Sequence, residues 1–241
     1  MAKSSDYLQK SATHYVRQVH STIWQITFLF PAPVNCWLLQ NSDGLTLIDA
    51  AYPSSGQKIL SAIECLDQPL RRIVITHAHP DHSGAAREVA EKSNAVVLAH
   101  TADLPYLQGQ RSLAEEKGFW QSRIVLGAAQ KLGLLDLPAI ENVEAVADGD
   151  TIDNFKIIHT PGHTPGSISV WASDEAAIFS GDNLLYRMRM LQVGLPWFTV
   201  DLTTQRNSLH SYMELPARMI MGGHGPVFTG DIQGALKRLV R

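Results

Sequence analysis

Cysteine is scarce in this chain. Only Cys36 and Cys65 occur in 241 residues, and neither sits in a Cys-x-x-Cys pattern. A disulfide framework and a thiolate-bound metal are therefore not expected, and both residues read as packed thiols. Long apolar runs are missing too. No stretch approaches the roughly 18 uninterrupted apolar residues that a membrane-spanning helix needs. Blocks of positive charge are also absent. The net charge is -3, and the only basic runs are Arg71-Arg72 and Lys237-Arg238. Such short runs offer no electrostatic track for nucleic acid. Met1-Ala2-Lys3-Ser4-Ser5-Asp6 holds no apolar segment. A signal peptide is therefore not expected, and a cytoplasmic location is. There is no Gly-, Ser- or Pro-rich linker and no internal repeat. What remains, 45% hydrophobic and 18% charged residues, suits one sizeable domain over residues 1–241, or two fused halves.

Histidine is where the chain is rich. Thr76-His77-Ala78-His79-Pro80-Asp81-His82-Ser83-Gly84 follows the β-branched run Ile73-Val74-Ile75. Imidazole and carboxylate are the usual ligands of zinc and similar divalent ions. His77 and His79 are two apart, so on an extended segment they point to the same side. Asp81 and His82 come next, before an expected helix over 84–92, and can turn towards a second point nearby. One segment can thus seed two adjacent metal positions.

Three later loops fit a closing of that site. They are Thr160-Pro161-Gly162-His163-Thr164-Pro165-Gly166, Phe179-Ser180-Gly181-Asp182 and Gly222-Gly223-His224-Gly225-Pro226. Each places one ligand-type residue in a tight turn directly after a strand-like run. Site residues of layered α/β folds sit at such strand ends. Glycine beside a ligand lets the backbone come close.

In this order the motifs His-x-His-x-Asp-His, His, Asp and His resemble those of the metallo-β-lactamase superfamily of hydrolases. They span residues 35 to 228. The resemblance implies an α/β fold, an αββα sandwich of two similar halves, with a dinuclear metal site at one edge. It implies that His77, His79 and His163 hold a first metal and Asp81, His82 and His224 a second. Asp182 matches the bridging carboxylate. Asp49, in Leu47-Ile48-Asp49-Ala50, matches an aspartate that supports the site from behind its ligands. Asp81 and Asp182 are the expected catalytic carboxylates. The chemistry agrees. Three neutral imidazoles leave a fourth tetrahedral position for water, whose pKa a metal lowers to about 7. Ligand histidines usually donate their other N–H to a carboxylate, and Asp49 is the leading candidate for that partner. The cofactors implied are two divalent ions, zinc first, with manganese, iron or cobalt also suited to these ligands.

Periodicity and turn residues predict strands over 21–30, 35–40, 45–49, 71–76, 95–99, 143–146, 151–158, 167–171, 176–180 and 218–221. Helices are expected over 55–66, 203–215 and 231–240. Residues 103–135 read as mostly helical, with Tyr106, Phe119, Trp120 and Arg123 placed to cover the site. Phe28, Phe30 and Tyr186 are the expected substrate contacts. The apolar segment 188–198 suits a homodimer surface. His14, His20, His100, His159 and His210 lack motif context and read as structural or surface residues.

The function expected is hydrolysis of an ester-type bond in a small molecule (a lactone, ester or thioester), by attack of hydroxide on the carbonyl carbon. Glutathione thioesterases of the family carry a further C-terminal region, and only 17 residues follow His224. True β-lactamases of the family lack the bridging aspartate. Members that process RNA add a nucleic-acid-binding module. The alternatives are a small-molecule phosphodiesterase or phosphotriesterase, or a promiscuous β-lactamase. A non-catalytic iron scaffold is the reading from another class.

Overall fold

The computed structural model describes residues 7–116 and 138–240, together with residues 124, 127, 128 and 131. Eight strands form the first sheet in chain order: β1 (Tyr7–Lys10), β2 (His14–His20), β3 (Ile23–Phe28), β4 (Val34–Asn41), β5 (Gly44–Ile48), β6 (Leu70–Ile75), β7 (Val96–His100) and β8 (Val143–Val146). The pairings up to β5 are antiparallel. From β5 to β8 they are parallel. Parallel neighbours need crossovers. Helix α1 (Gly56–Glu64) supplies the first, and α2 (Pro80–Ser83) with α3 (Ala86–Ser93) the second. Asn94 ends α3 in the left-handed conformation, φ 55°. A four-residue helix α4 (Leu104–Leu107) follows β7.

The second sheet draws on β9 (Thr151–Ile152), β10 (Phe155–His159), β11 (Ile168–Ala172) and β12 (Ala177–Gly181). A separate hairpin, β13 (Leu184–Arg187) and β14 (Met190–Val193), comes before β15 (Met219–Gly222). The sheet order is β15-β12-β11-β10-β9, with β12 and β15 parallel. Helices α5 (Leu202–Ser208) and α6 (Ile232–Leu239) belong to this half. Their N-termini are capped by aspartates. Asp201 accepts from the Thr203 and Thr204 amides, and Asp231 from the Gly234 amide.

Strand alternation decides the layers. Trp37, Leu39, Ile48, Val74 and Leu98 face inward and meet Phe155, Ile157, Val170 and Phe179 of the second sheet. Their neighbours Cys36, Leu38, Ile73, Ile75 and Val97 face the other way and pack with Ile59, Ile63 and Val89 of the helices. On the outer face of the second sheet, Ile158, Ile178 and Ile220 pack on Leu209, Tyr212 and Leu236. The result is the expected αββα sandwich.

Some boundaries differ from expectation. Strands β1 and β2 were not expected, because β2 buries only Val16 fully and alternates polar residues around it. Asp153, at φ 52°, splits the expected strand 151–158 into β9 and β10. The hairpin turn Met188-Arg189 has positive φ at both residues, 50° and 66°, with no Asn or Gly to announce it. Expected helix 203–215 is α5 followed by a 3-10 turn. Over 103–116, α4 and short 3-10 turns replace the expected long helix, while the described residues 124, 127, 128 and 131 are helical as expected. Tyr106 is buried in the first core rather than over the site. Phe119, Trp120 and Arg123 lie outside the described residues.

Among the described residues no helix is long and apolar enough to cross a membrane. Trp37 joins the two sheets, edge-on to Phe179 at 5.9 Å. Replacing it by alanine is expected to cost about 3–5 kcal/mol, read from the urea midpoint.

Candidate metal centre

All seven expected ligands come together. They lie in the loops at the ends of β6, β10, β12 and β15, and in α2. Their ligand atoms form three overlapping groups: His77, His79 and His163; His77, His82 and Asp182; Asp81, His82 and His224. Within each group the atoms lie within 4.8 Å of one another. His163 Nε2 is 3.0 Å from His79 Nδ1, and His82 Nε2 is 3.4 Å from His224 Nε2. A tetrahedron with metal–nitrogen bonds of about 2.0–2.1 Å has edges of roughly 3.3 Å, so the spacing suits a metal. Asp182 stands between the groups. Its Oδ2 is 3.3 Å from His224 Nε2 and 3.7 Å from His163 Nε2, and its Oδ1 is 3.5 Å from His82 Nε2.

The outward hydrogen bonds choose the tautomers. His82 Nδ1–H donates to Asp49 Oδ2 at 2.8 Å. His163 Nδ1–H donates to Thr199 Oγ1 at 3.1 Å, and His224 Nδ1–H to the Pro33 carbonyl at 2.5 Å. The Thr76 hydroxyl donates to Asp49, which leaves Thr76 Oγ1 free to accept from His77 Nδ1–H at 3.1 Å. In its neutral form each of these rings is left with a bare Nε2 facing the centre. Buried His77 Nε2 and Asp182 Oδ1 have no hydrogen-bond partner. Orphaned buried acceptors of this kind are what a metal ion satisfies.

Supports behind the ligands explain the geometry. Asp49, buried and at φ 61°, accepts from the Thr76 amide as well as from His82. It therefore stands behind the ligands, where the sequence put it. Asn35 was not expected. Its amide group donates to the Gly222 and Gly225 carbonyls and so pins the loop of His224. Gln205 also was missed. It donates to the Asp182 carbonyl and accepts from Thr199. Asn35 stood out as a polar residue within an apolar strand, while nothing in the polar stretch around Gln205 announced its burial. At Gly223 an added Cβ would overlap His82 Cε1 and lie 2.6 Å from Asp182 Oδ1. Phe28 is corrected: it is 3% exposed, buried in the first core. Phe30 is 78% exposed in the loop that holds Pro33. Tyr186 packs against Phe228 at 4.9 Å.

Protons divide the centre in two. Burial pulls His77 well below the usual imidazole range, His79 to about 4 and His163 to about 3. Burial also opposes charge on His82, but Asp81, Asp182 and Asp49 outweigh it and hold His82 at about 9. His224 is likewise raised against its burial by Asp182 and Asp81. Burial pushes both aspartates up, yet the adjacent imidazoles hold them well below the carboxylate range.

The family model described as the metallo-beta-lactamase superfamily matches residues 29–224. This chain belongs to that superfamily. It is 37% identical over 166 residues to the uncharacterized protein YobT of Bacillus subtilis, covering 68% of this chain and 67% of YobT. It is 26% identical over 204 residues to the hydroxyacylglutathione hydrolase GloC of Haemophilus influenzae, covering 81% and 87%. Among solved structures, TTHA1623 in a di-iron-bound form superposes with a TM-score of 0.67 at 30% identity, covering 88% and 96%. The superfamily assignment makes this a metallo-hydrolase fold with a candidate His/Asp metal site.

Two outcomes follow. The Gly223→Ala variant is expected to lose bound metal, measured by elemental analysis, because its Cβ displaces two ligands. His82 keeps its proton to about 9 in the folded chain, against 6.5 unfolded. In the metal-free protein that stabilisation is complete below pH 6.5 and is lost as pH rises through 9. The thermal midpoint of chelated protein should therefore fall across that window. Metal must displace the same proton, so the weaker of two binding steps should tighten over it.

Proposed function

We propose that the chain is a dinuclear metal-dependent hydrolase cleaving an ester-type bond, a lactone, ester or thioester, in a small molecule. The observation that carries this reading is the shared position of Asp182 between the two triads. An aspartate there also separates the site from dedicated β-lactamases. The likeness to GloC supports the thioester member of the group. The expectation that this member needs a further C-terminal region sits poorly with GloC, 87% of which the match covers.

His77, His79 and His163 would hold one ion, and Asp81, His82 and His224 the other, with Asp182 between them. Zinc suits these nitrogen and oxygen ligands, and the di-iron neighbour supports iron as the alternative. When bound, two such ions supply Lewis acidity and a hydroxide nucleophile at neutral pH. The chain supplies the rest. The bare Nε2 atoms and Asp182 fix where the nucleophile starts. Asp81 is 29% exposed against 9% for Asp182, so it is the carboxylate that reaches a substrate. Asp81 would pass the proton released on attack at the carbonyl carbon to the leaving oxygen or sulfur. The exposed ring of Phe30, three residues before the Pro33 whose carbonyl bonds His224, would offer an apolar rest for the acyl chain.

The test is acid release in a pH-stat, with metal-replete protein and three substrates: an acyl-homoserine lactone, a hydroxyacyl-glutathione thioester and a phosphotriester. Chelator-sensitive cleavage of either carbonyl substrate is expected. Asp81→Asn should lower kcat by about 10²–10⁴-fold. Chelator-insensitive turnover would sink the mechanism, and much faster phosphotriester turnover would move the reading to phosphorus.

A further inference from the structure

Strand β6 ends between two buried aspartates. On the β5 side, Asp49 Oδ1 accepts the Thr76 amide at 2.8 Å. On the β7 side, Asp103 Oδ2 accepts the Ala78 amide at 2.9 Å. The two amides lie on either side of His77, and His79 follows the second. The ligand segment is thus gripped from both sides of its own strand. The sequence motifs name Asp49 and are silent on Asp103, which follows β7 in a 3-10 turn.

Asp103 does more than its counterpart across the strand. Its Oδ2 also accepts from the Thr164 hydroxyl at 2.7 Å, and its Oδ1 accepts from the Gly166 amide at 2.7 Å. Thr164 and Gly166 directly follow His163 in the loop from β10 to β11. One carboxylate, 1% exposed, therefore ties the segment of His77 and His79 to the loop of His163. The two pieces come from different sheets. The chain has made room for the contact. A Cβ on Gly166 would lie 2.5 Å from Asp103 N and 2.7 Å from its Cβ and Cγ.

We propose that Asp103 is the positioning residue of the first metal triad, setting the separation of His79 and His163 across the two halves. The inference rests on the metallohydrolase reading of the same site. Asp103 acts through the Ala78 and Gly166 amides and the Thr164 hydroxyl, next to the ligand residues in the chain. Charge-assisted bonds of this kind are short and directional, so they fix loop position more tightly than neutral ones. Its carboxylate would also add to Asp49, Asp81 and Asp182 in offsetting the charge of two divalent ions. Partners behind the ligands commonly change metal affinity by about 10–100-fold.

The test is a stepwise Co²⁺ titration of chelated full-length protein, followed by visible absorption. His163→Ala identifies the step that belongs to the first triad. In Asp103→Asn that step should weaken by about 10–100-fold while the other step stays within about threefold. Thr164→Val removes one donor and keeps the side-chain shape. It should weaken the same step by a smaller factor, and it covers the case in which Asp103→Asn does not fold. Phe155→Leu, in the core between the sheets, serves as the control for plain destabilisation. Unchanged first-step affinity in both variants overturns the proposal. So does equal weakening of both steps, or a pattern matched by Phe155→Leu. Failure of the unaltered protein to bind Co²⁺ overturns the metallohydrolase reading itself, and is distinguishable because no variant is needed to see it.

Discussion

His163 Nε2 and His79 Nδ1 face each other at 3.0 Å in a buried space, a separation that a shared hydrogen or a common metal ion satisfies. Around that pair, more inward-facing nitrogen and oxygen lone pairs gather than there are protons to share. Every other part of the arrangement follows from the need to hold these atoms together against their own preference. Hence the outward bonds to Asp49, Thr199 and Pro33, which spend the wrong ring hydrogen elsewhere. Hence also the glycine at 223, where any side chain would push two ligands apart.

The two triads differ in kind. Burial empties the first of protons, while carboxylates load the second with them. A cation entering the first therefore meets neutral nitrogen, and one entering the second must displace hydrogen. The same burial that makes the first triad expensive to leave bare makes it receptive.

Much of this was legible in the sequence, and the reasons are physical. The ligands lie in turns directly after β-branched runs, and strand ends are where alternation and Gly-Pro punctuation are strongest. Strands β4, β6 and β7 are near-continuous apolar runs buried on both faces, so their layering was legible only through the family resemblance. The supports were harder to read. Asp103 reaches residues 25 and 61 positions away, and Asn35 reaches across about 190. Bonds at that range leave no local trace beyond one polar residue in an apolar setting. Asp49 was found only because a family motif names it. The hairpin over β13 and β14 was hidden for the opposite reason, since Met188 and Arg189 are not residues from which a left-handed turn is read. Phe28 misled because it is the last residue of β3 and packs into the first core, while Phe30, two residues on, has left the strand for the exposed loop.

The topology gives a bound ion a second role. The first triad draws on residues 84 apart, and the His82–His224 contact spans 142. Each ion would thus close a long loop and fasten one sheet to the other, as a covalent bridge between distant thiols does in small secreted proteins. A chain with two unpaired cysteines has no such bridge of its own. Its cofactor would be its cross-link, and the two sheets would be held most firmly together when the enzyme is also armed.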